Sequence, residues 1–328
     1  MQQKSRILHS LIEKFRNAKN FQQKQDLDAI LDLIRTTGYS NSQIYASLGE
    51  DAAAIRPNPN SSQLILLTTD AILSEFVEKS PWGAGFSAIY VGIEDILACG
   101  GQPIGASITI SYNQENKGKE IFRGVLDATN RFRIPLIRGH TRTDSPNISL
   151  SSAIIGITDI QHFASVHRTQ NDDILGFIFD PIGKPGKANR LYWDTITESN
   201  TETFFAKRAF VRTLIENGCI HTCKDISNGG ILGTIYQICK YSQKGASVLL
   251  DIFEELTPFH QLGYNLDETL SLFLTSAYII TGPVDSEEKI RQKVINSGMQ
   301  YYTIGRIISQ PKIILQYGDA LMDFLSLV

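Results

Sequence analysis

The sequence predicts a protein of two domains, each combining helices and strands in an α+β or α/β arrangement. Three observations lead to this fold class. The chain has 328 residues, which is long for a single hydrophobic core. Segments with strand and helix periodicity alternate in both halves of the chain. The polar segment at residues 159–173 interrupts that alternation, so we expect domains at residues 1–160 and 161–328.

The first half is expected to contain four helices and four strands. Apolar residues recur at helical spacing in four segments, residues 5–17, 24–35, 82–98 and 119–132. The second helix should end at Gly38 and the third at Gly100-Gly101, since glycine often terminates helices. Small residues form one stripe of the third helix, which predicts close packing. Short β-branched and apolar runs predict strands at residues 64–69, 104–112, 134–137 and 148–158.

The second half repeats this alternation of helices and strands. Helical periodicity predicts helices over residues 204–217, 226–239, 267–274 and 286–296. Apolar runs predict strands at residues 174–179, 247–250, 278–280, 301–308 and 313–316. The order of elements in the two halves is loosely similar, with a glycine-rich helix start in each.

Composition places the chain among globular proteins and excludes several functional classes. Hydrophobic residues make up 42% of the chain and charged residues 20%, with a net charge of -3. A nucleic-acid partner is not expected, because such proteins carry a basic excess. No apolar run approaches the roughly 18 residues of a membrane helix, and no signal-peptide core begins the chain. We therefore expect a cytoplasmic protein without a membrane partner.

The four cysteines are expected to be reduced and partly buried thiols. Cys219 and Cys223 are four residues apart, and His221 lies between them. A zinc site would need a fourth ligand, and no second pair of cysteines supplies one.

Lone acidic residues at the edges of apolar segments are the first candidates for a site. Glu50 and Asp51 follow Gly49 and lead directly into small apolar residues, Asp70 ends a predicted strand, and Asp95 lies on a predicted helix. Carboxylates in apolar surroundings need a compensating partner. Mg²⁺ held by such oxygens would let them bind a nucleotide's phosphates. Each acid, taken singly, is equally compatible with a helix cap or a turn.

Two further motifs suggest phosphate binding. Asp225-Ile226-Ser227-Asn228-Gly229-Gly230 opens a predicted helix, whose free backbone N–H groups suit phosphate. The same pattern fits an ordinary helix start with glycines for close packing. Arg138-Gly139-His140-Thr141-Arg142 follows a short predicted strand, and arginine suits phosphate or carboxylate. A solvated turn is the alternative there.

The order of these motifs resembles the aminoimidazole ribonucleotide (AIR) synthase superfamily, also called PurM-like. The resemblance covers about Lys24 to Gly318. The chain is most similar to AIR-synthase-related proteins of unassigned activity. Other members include thiamine-monophosphate kinase, selenophosphate synthetase and the hydrogenase maturation protein HypE. The motifs are Gly49-Glu50-Asp51-Ala52-Ala53, Thr68-Thr69-Asp70, Glu94-Asp95 through Pro103, Arg138-Gly139-His140-Thr141 and Lys224-Asp225 through Gly230.

The resemblance implies a two-domain α+β, PurM-like architecture. Its N-terminal mixed sheet would form a dimer barrel in a homodimer, and its C-terminal domain would be an α/β sandwich. It implies Mg²⁺ as cofactor and ATP as substrate. The implied metal ligands are Asp51, Asp70 and Asp95. The residues implied to contact the nucleotide or a second substrate are Gly139, His140, Thr141, Asp225, Gly229 and Gly230.

The resemblance therefore predicts a Mg²⁺-dependent, ATP-binding enzyme that phosphorylates or activates an unidentified small molecule. Two alternatives stay open. One is a nucleotide-binding maturation or partner protein without turnover, which the departures from the family pattern at Gly92, Glu94 and Arg138 motivate. The other is a kinase similar to thiamine-monophosphate kinase, although Glu50 and Asn228 depart from that pattern too. Catalytic residues and the second substrate are not identified by any motif.

Overall fold

A computed structural model describes residues 2–26, 28–37 and 41–327. These residues form two compact units, which we name after their sheets. The six-stranded unit comprises Ser42–Phe163 and Ser199–Arg212. The seven-stranded unit comprises Met1–Asn41, Ala164–Glu198 and Thr213–Val328.

The helices and strands alternate along both units, as the sequence predicts. The helices are α1 (Gln2–Arg16), α2 (Lys19–Asp26), α3 (Asp28–Thr36), α4 (Ser74–Lys79), α5 (Pro81–Ala98), α6 (Glu115–Phe132), α7 (Thr201–Glu216), α8 (Gly230–Ser242), α9 (Asp251–Glu254), α10 (Leu266–Ser271) and α11 (Glu287–Asn296). The strands are β1 (Ile44–Ala46), β2 (Ala53–Ile55), β3 (Gln63–Ala71), β4 (Gln102–Ser111), β5 (Leu136–Arg142), β6 (Ser149–Asp159), β7 (Ile174–Phe179), β8 (Lys184–Pro185), β9 (Tyr192–Asp194), β10 (Thr222–Asp225), β11 (Gly245–Leu249), β12 (Phe273–Leu274), β13 (Ala277–Gly282), β14 (Gln300–Ile308), β15 (Lys312–Tyr317) and β16 (Ala320–Ser326).

The six-stranded unit is a mixed sheet with helices on one face. Its strand order is β1-β2-β3-β6-β4-β5, and only the β4–β5 pair is parallel. Residues of β6 alternate between buried and partly exposed. The buried set faces the helices, because Ile154 lies against α5. The opposite face of the sheet carries no helix of this unit among the described residues.

Glycines allow α5 to pack closely on its neighbours, which confirms the prediction made from its small residues. A Cβ atom at Gly85 would lie 2.1 Å from the carbonyl oxygen of Ile121 on α6. A Cβ at Gly92 would lie 2.5 Å from Ile154 and 3.0 Å from Thr68. Only glycine permits these approaches, so α5 lies tightly on both the sheet and α6.

The seven-stranded unit is a second mixed sheet with strand order β10-β13-β7-β14-β11-β15-β16. All its pairs are antiparallel except β11–β15. The strands β8, β9 and β12 form a small separate sheet. Apolar side chains of α1 belong to this unit's core, namely Leu8, Leu11, Ile12 and Phe15. The first helix therefore groups with the second half of the chain, because its apolar face is buried there.

Several predicted elements differ from the observed ones. The described residues of the predicted helix 24–35 are helical and belong to α2, described to Asp26, and α3, described from Asp28. Leu27 and the predicted helix end at Gly38 lie outside the described residues. The helix predicted at 226–239 begins only at Gly230. The last strand, β16, was not predicted. In this single chain β1 and β5 are edges of the first sheet, so the dimer barrel stays a prediction.

Candidate metal and nucleotide site

Asp51 and Asp95 meet in the six-stranded unit. One carboxylate oxygen of each lies within 4.8 Å of the other, and both residues are half-buried. Asp51 lies in the turn before β2, and Asp95 lies near the end of α5. Two carboxylates at this separation repel each other unless a cation or a shared proton lies between them. The sequence predicted both residues as ligands, and the fold brings them together.

Thr68 fixes the position of the Asp95 carboxylate. Its hydroxyl donates a hydrogen bond to Oδ2 of Asp95, and the Thr68 side chain is buried. The close packing at Gly92 brings this turn of α5 against β3. This contact holds the Asp95 carboxylate against β3, the strand that also carries Asp70. Sequence reasoning noted Thr68 only as part of a motif and missed this contact.

Asp70 lies two residues beyond Thr68 on β3. Side chains two apart on a strand share a face, so Asp70 points to the same side of the sheet as Thr68. Ala53 of β2 pairs with Leu67, which places the start of β2 and the Asp51 turn beside this end of β3. The third predicted ligand therefore belongs to the same corner of the unit.

An open groove of about 410 Å³ lies beside Asp70 on the six-stranded sheet. It is lined mainly by small and hydroxyl-bearing residues of three adjacent strands, namely Thr69, Asp70, Ala71, Ser107, Thr109, Ser151, Ser152 and Ala153. The Ser152 hydroxyl is buried on the other face of β6, the face that carries Ile154. The hydroxyls of Thr69, Ser107, Thr109 and Ser151 lie on the groove's face and can bind the oxygens of a polar ligand.

The segment Arg138–Arg142 is a strand and not the solvated turn that stood as the alternative to a phosphate-binding motif. It forms most of β5, an edge strand whose residues are all exposed. The strand exists because its backbone pairs in parallel with β4, from Ser107–Arg138 to Ser111–Arg142. An exposed edge needs no apolar alternation, which is why the sequence pattern did not reveal it.

The register of β5 relates the predicted phosphate residues to the groove. Thr109 lines the groove and pairs with His140, so these two side chains share a face of the sheet. Gly139 lies in one row with Asp70, since the pairings run from Asp70 through β6 and β4 to Gly139. Three strand spacings separate them, or roughly 14 Å. Gly139, His140 and the neighbouring Thr141 are therefore not adjacent to Asp70.

Asp225, Gly229 and Gly230 belong to the seven-stranded unit. Asp225 is the last residue of β10 and is half-buried. Gly229 and Gly230 have φ angles of 104° and 65°, in the left-handed region that favours glycine. A Cβ at Gly230 would lie 2.3 Å from the Leu270 carbonyl oxygen. Both glycines are thus required by the backbone of the turn that opens α8.

A buried ion pair supports the helix that carries Asp95. Arg208 of α7 donates hydrogen bonds to both carboxylate oxygens of Glu94, at 2.8–3.0 Å. The two side chains are only 1% and 3% exposed. The sequence identified Glu94 as a departure from the family pattern but gave no partner for it. The signal was available, because an acid on a buried helix stripe requires a nearby cation.

The remaining predictions concern cysteines and membranes. All four cysteines are buried and form no disulfide, and burial raises the pKa of the Cys239 thiol. Among the described helices, none combines the length and apolar character that crossing a membrane demands.

The chain belongs to the AIR-synthase-related family. The model of the AIR synthase related protein, N-terminal domain, matches residues 49–158. The model of the C-terminal domain of the same family matches residues 185–318. The two-domain PurM-like fold is confirmed by solved structures described below.

Relatives fall into proteins of similar length and longer synthase subunits. An uncharacterized protein, MJ0640, from Methanocaldococcus jannaschii is 28% identical over 95% of this chain and 94% of its own. The phosphoribosylformylglycinamidine synthase subunit PurL from Allorhizobium ampelinum is 22% identical over 79% of this chain. This chain spans only 36% of that subunit.

Two solved structures show the same fold at low sequence identity. T. maritima PurL complexed with ATP has a TM-score of 0.69 and 14% identity, covering 89% of this chain and 48% of PurL. AaThiL complexed with AMPPCP and TMP has a TM-score of 0.64 and 18% identity. That alignment covers 92% of this chain and 97% of AaThiL.

Proposed function

We propose that this protein is a Mg²⁺-dependent, ATP-using enzyme that phosphorylates or otherwise activates a small molecule. The observation that carries the proposal is the Asp51–Asp95 pair, whose oxygens lie within 4.8 Å of each other. Family membership supports it, and so do fold relatives whose structures contain ATP or its analogue AMPPCP.

The carboxylates fit a magnesium ion. Mg²⁺ takes oxygen ligands at about 2.0–2.1 Å, so two ligand oxygens of one ion lie at most about 4.2 Å apart, which falls inside the 4.8 Å limit for this pair. Asp51 and Asp95 would hold the ion, with Asp70 at the same corner as a third ligand. When bound, Mg²⁺ would neutralise the charge of nucleotide phosphates beside these acids.

The groove on the six-stranded sheet is the proposed place of the nucleotide. His140 shares a face with its Thr109 wall, and Asp70 borders the groove from β3 with its side chain on the Thr68 face of that strand. His140 would then contact the phosphates from β5, with Gly139 and Thr141 on either side of it along the strand. In the seven-stranded unit, Asp225, Gly229 and Gly230 would face the second substrate or its phosphate.

Catalysis would rest on positioning and charge neutralisation, which is how phosphoryl transfer generally proceeds. Thr68 would orient Asp95, and the Glu94–Arg208 pair would hold its helix. We further propose a homodimer.

A kinase of a small, phosphorylated substrate is the second candidate. The observation that favours it is length, because the alignment with AaThiL covers 97% of that protein. PurL, by contrast, is about twice as long as the matched region.

Nucleotide-dependent stabilisation and ADP formation test the proposal. Mg-ATP at about 100 times its Kd should stabilise the protein by about 2.7 kcal/mol. EDTA should abolish the shift in melting temperature, and Asp95→Asn should reduce it to about half or less. Glu120→Gln, which removes the same charge from the surface of α6, should leave it intact.

Three outcomes are distinguishable. Formation of ADP with one member of a metabolite panel would support an enzyme and name its substrate class. Stabilisation without turnover on any metabolite would indicate a nucleotide-binding partner protein. A melting temperature unchanged by Mg-ATP would refute the nucleotide site.

A further inference from the structure

The turn Asp225–Gly230, which opens α8, is covered by the N-terminal helix α2. Two side-chain contacts join them within the seven-stranded unit. The Lys24 ammonium donates a hydrogen bond to the Ser227 hydroxyl at 2.8 Å. The Asn228 amide donates to Oε1 of Gln23 at 3.1 Å. Residues about 200 positions apart in sequence thus hold the middle of the turn.

The stem of Lys24 also packs on Gly229, the first of the two glycines in the turn. A Cβ at Gly229 would lie 3.0 Å from Cγ of Lys24 and 3.5 Å from the Asn20 carbonyl oxygen. The opposite side of the turn is closed at Gly230, where a Cβ would lie 2.3 Å from the Leu270 carbonyl oxygen. The turn is therefore enclosed between α2 and the residues that end α10.

The helix α2 is itself anchored firmly. The Phe21 side chain is 1% exposed and contacts the rings of Tyr236 on α8 and Phe324 on β16, at 5.6 and 5.3 Å between centroids. A helix that is anchored by close packing holds its side chains in fixed positions against the residues they contact. Lys24 and Gln23 therefore present fixed partners to Ser227 and Asn228 rather than mobile surface groups.

We infer that α2 is a positioning element for the Asp225–Gly230 turn and that Lys24 is its main positioning residue. Two consecutive residues with positive φ make this turn conformationally permissive, so contacts from outside must define it. The Lys24–Ser227 hydrogen bond and the packing of Lys24 on Gly229 fix the conformation of the turn. This inference rests on the proposed function, because it assigns the turn a geometry that substrate binding needs.

Amide hydrogen exchange in the protein without nucleotide tests the positioning directly. Lys24→Met keeps the stem over Gly229 but removes the hydrogen bond. Amides of residues 227–230 should then exchange about tenfold faster, the effect of one lost hydrogen bond. Lys24→Gln can still donate to Ser227 and should restore most of the protection. Lys19→Met, on the exposed side of the same helix, should exchange like wild type.

ATP hydrolysis by the same variants tests the functional consequence. We expect Lys24→Met to lower kcat about tenfold with KM for Mg-ATP within about twofold, and Lys24→Gln to recover most of kcat. Unchanged exchange in Lys24→Met, or equal acceleration in Lys19→Met, would overturn the inference. Failure of the wild-type protein to bind Mg-ATP would overturn the proposed function, while the exchange result would still decide the role of α2.

Discussion

Replacing Arg208 by leucine should destabilise the six-stranded unit by about 3–5 kcal/mol, because it leaves a buried carboxylate unpaired. The guanidinium donates three hydrogen bonds to Glu94 and a fourth to the Phe204 carbonyl oxygen. Each bond between charged partners contributes about 1.5–3 kcal/mol, partly offset by the cost of desolvating both ions. At 3% exposure, the Glu94 side chain has little access to water once its partner is gone.

The matched control removes both charges together. Glu94→Leu combined with Arg208→Leu should recover most of the loss, since no buried charge remains. Urea unfolding followed by tryptophan fluorescence measures this. The chain has two tryptophans, Trp82 in the six-stranded unit and Trp193 in the other, so a Trp193→Phe background makes the signal specific.

Two results would refute this reasoning about the ion pair. A loss below about 1 kcal/mol in the Arg208 variant is the size expected of an exposed pair. A double variant no more stable than the single one would show that packing, rather than the unpaired charge, causes the loss.

Three further predictions concern stability. Gly92→Ala should destabilise the protein by about 1–3 kcal/mol in urea unfolding, because its Cβ would lie 2.5 Å from Ile154. Gly233→Ala on α8 is the control, since its Cβ would meet nothing closer than 3.6 Å, and it should be neutral or stabilising. Burial raises the pKa of Tyr301 to about 12. The stability that its neutral phenol contributes is therefore complete below about pH 10 and is lost as the pH rises toward 12. Between pH 8 and 11, the urea midpoint should fall less for Tyr301→Phe than for wild type. Asn265→Ala removes a capping box at α10 and should cost about 1 kcal/mol by thermal unfolding, and an unchanged melting temperature would contradict the capping role.

The periodic spacing of apolar residues predicted the buried helices and strands well, because packing against a core requires that spacing. The helices α5 and α6 were predicted to within a few residues, since each buries one stripe of apolar or small side chains. The strand β5 was missed beyond residue 137, because its exposed residues carry no pattern and its hydrogen bonds come from β4. Local signals cannot show pairing with a strand more than 20 residues away.

The candidate site was predictable in its residue types but not in its arrangement. Asp51 and Asp95 stood out as acids in apolar surroundings, and the fold brings them within 4.8 Å. Which acids meet depends on the register of β2 with β3 and on the approach of α5 at Gly92. Arg208 lies 114 residues from Glu94, so only the need of a buried acid for a cation could have suggested it.

Calorimetric titration of Mg-ATP tests the central claim most directly, using Asp51→Asn, Asp95→Asn and the double variant. If the two acids hold one ion, each single change should weaken binding more than about tenfold, and the double change should cost little more than one. Binding that needs Mg²⁺ and shows this non-additivity is the predicted result. Mg-ATP binding with wild-type affinity in both single variants would contradict the account.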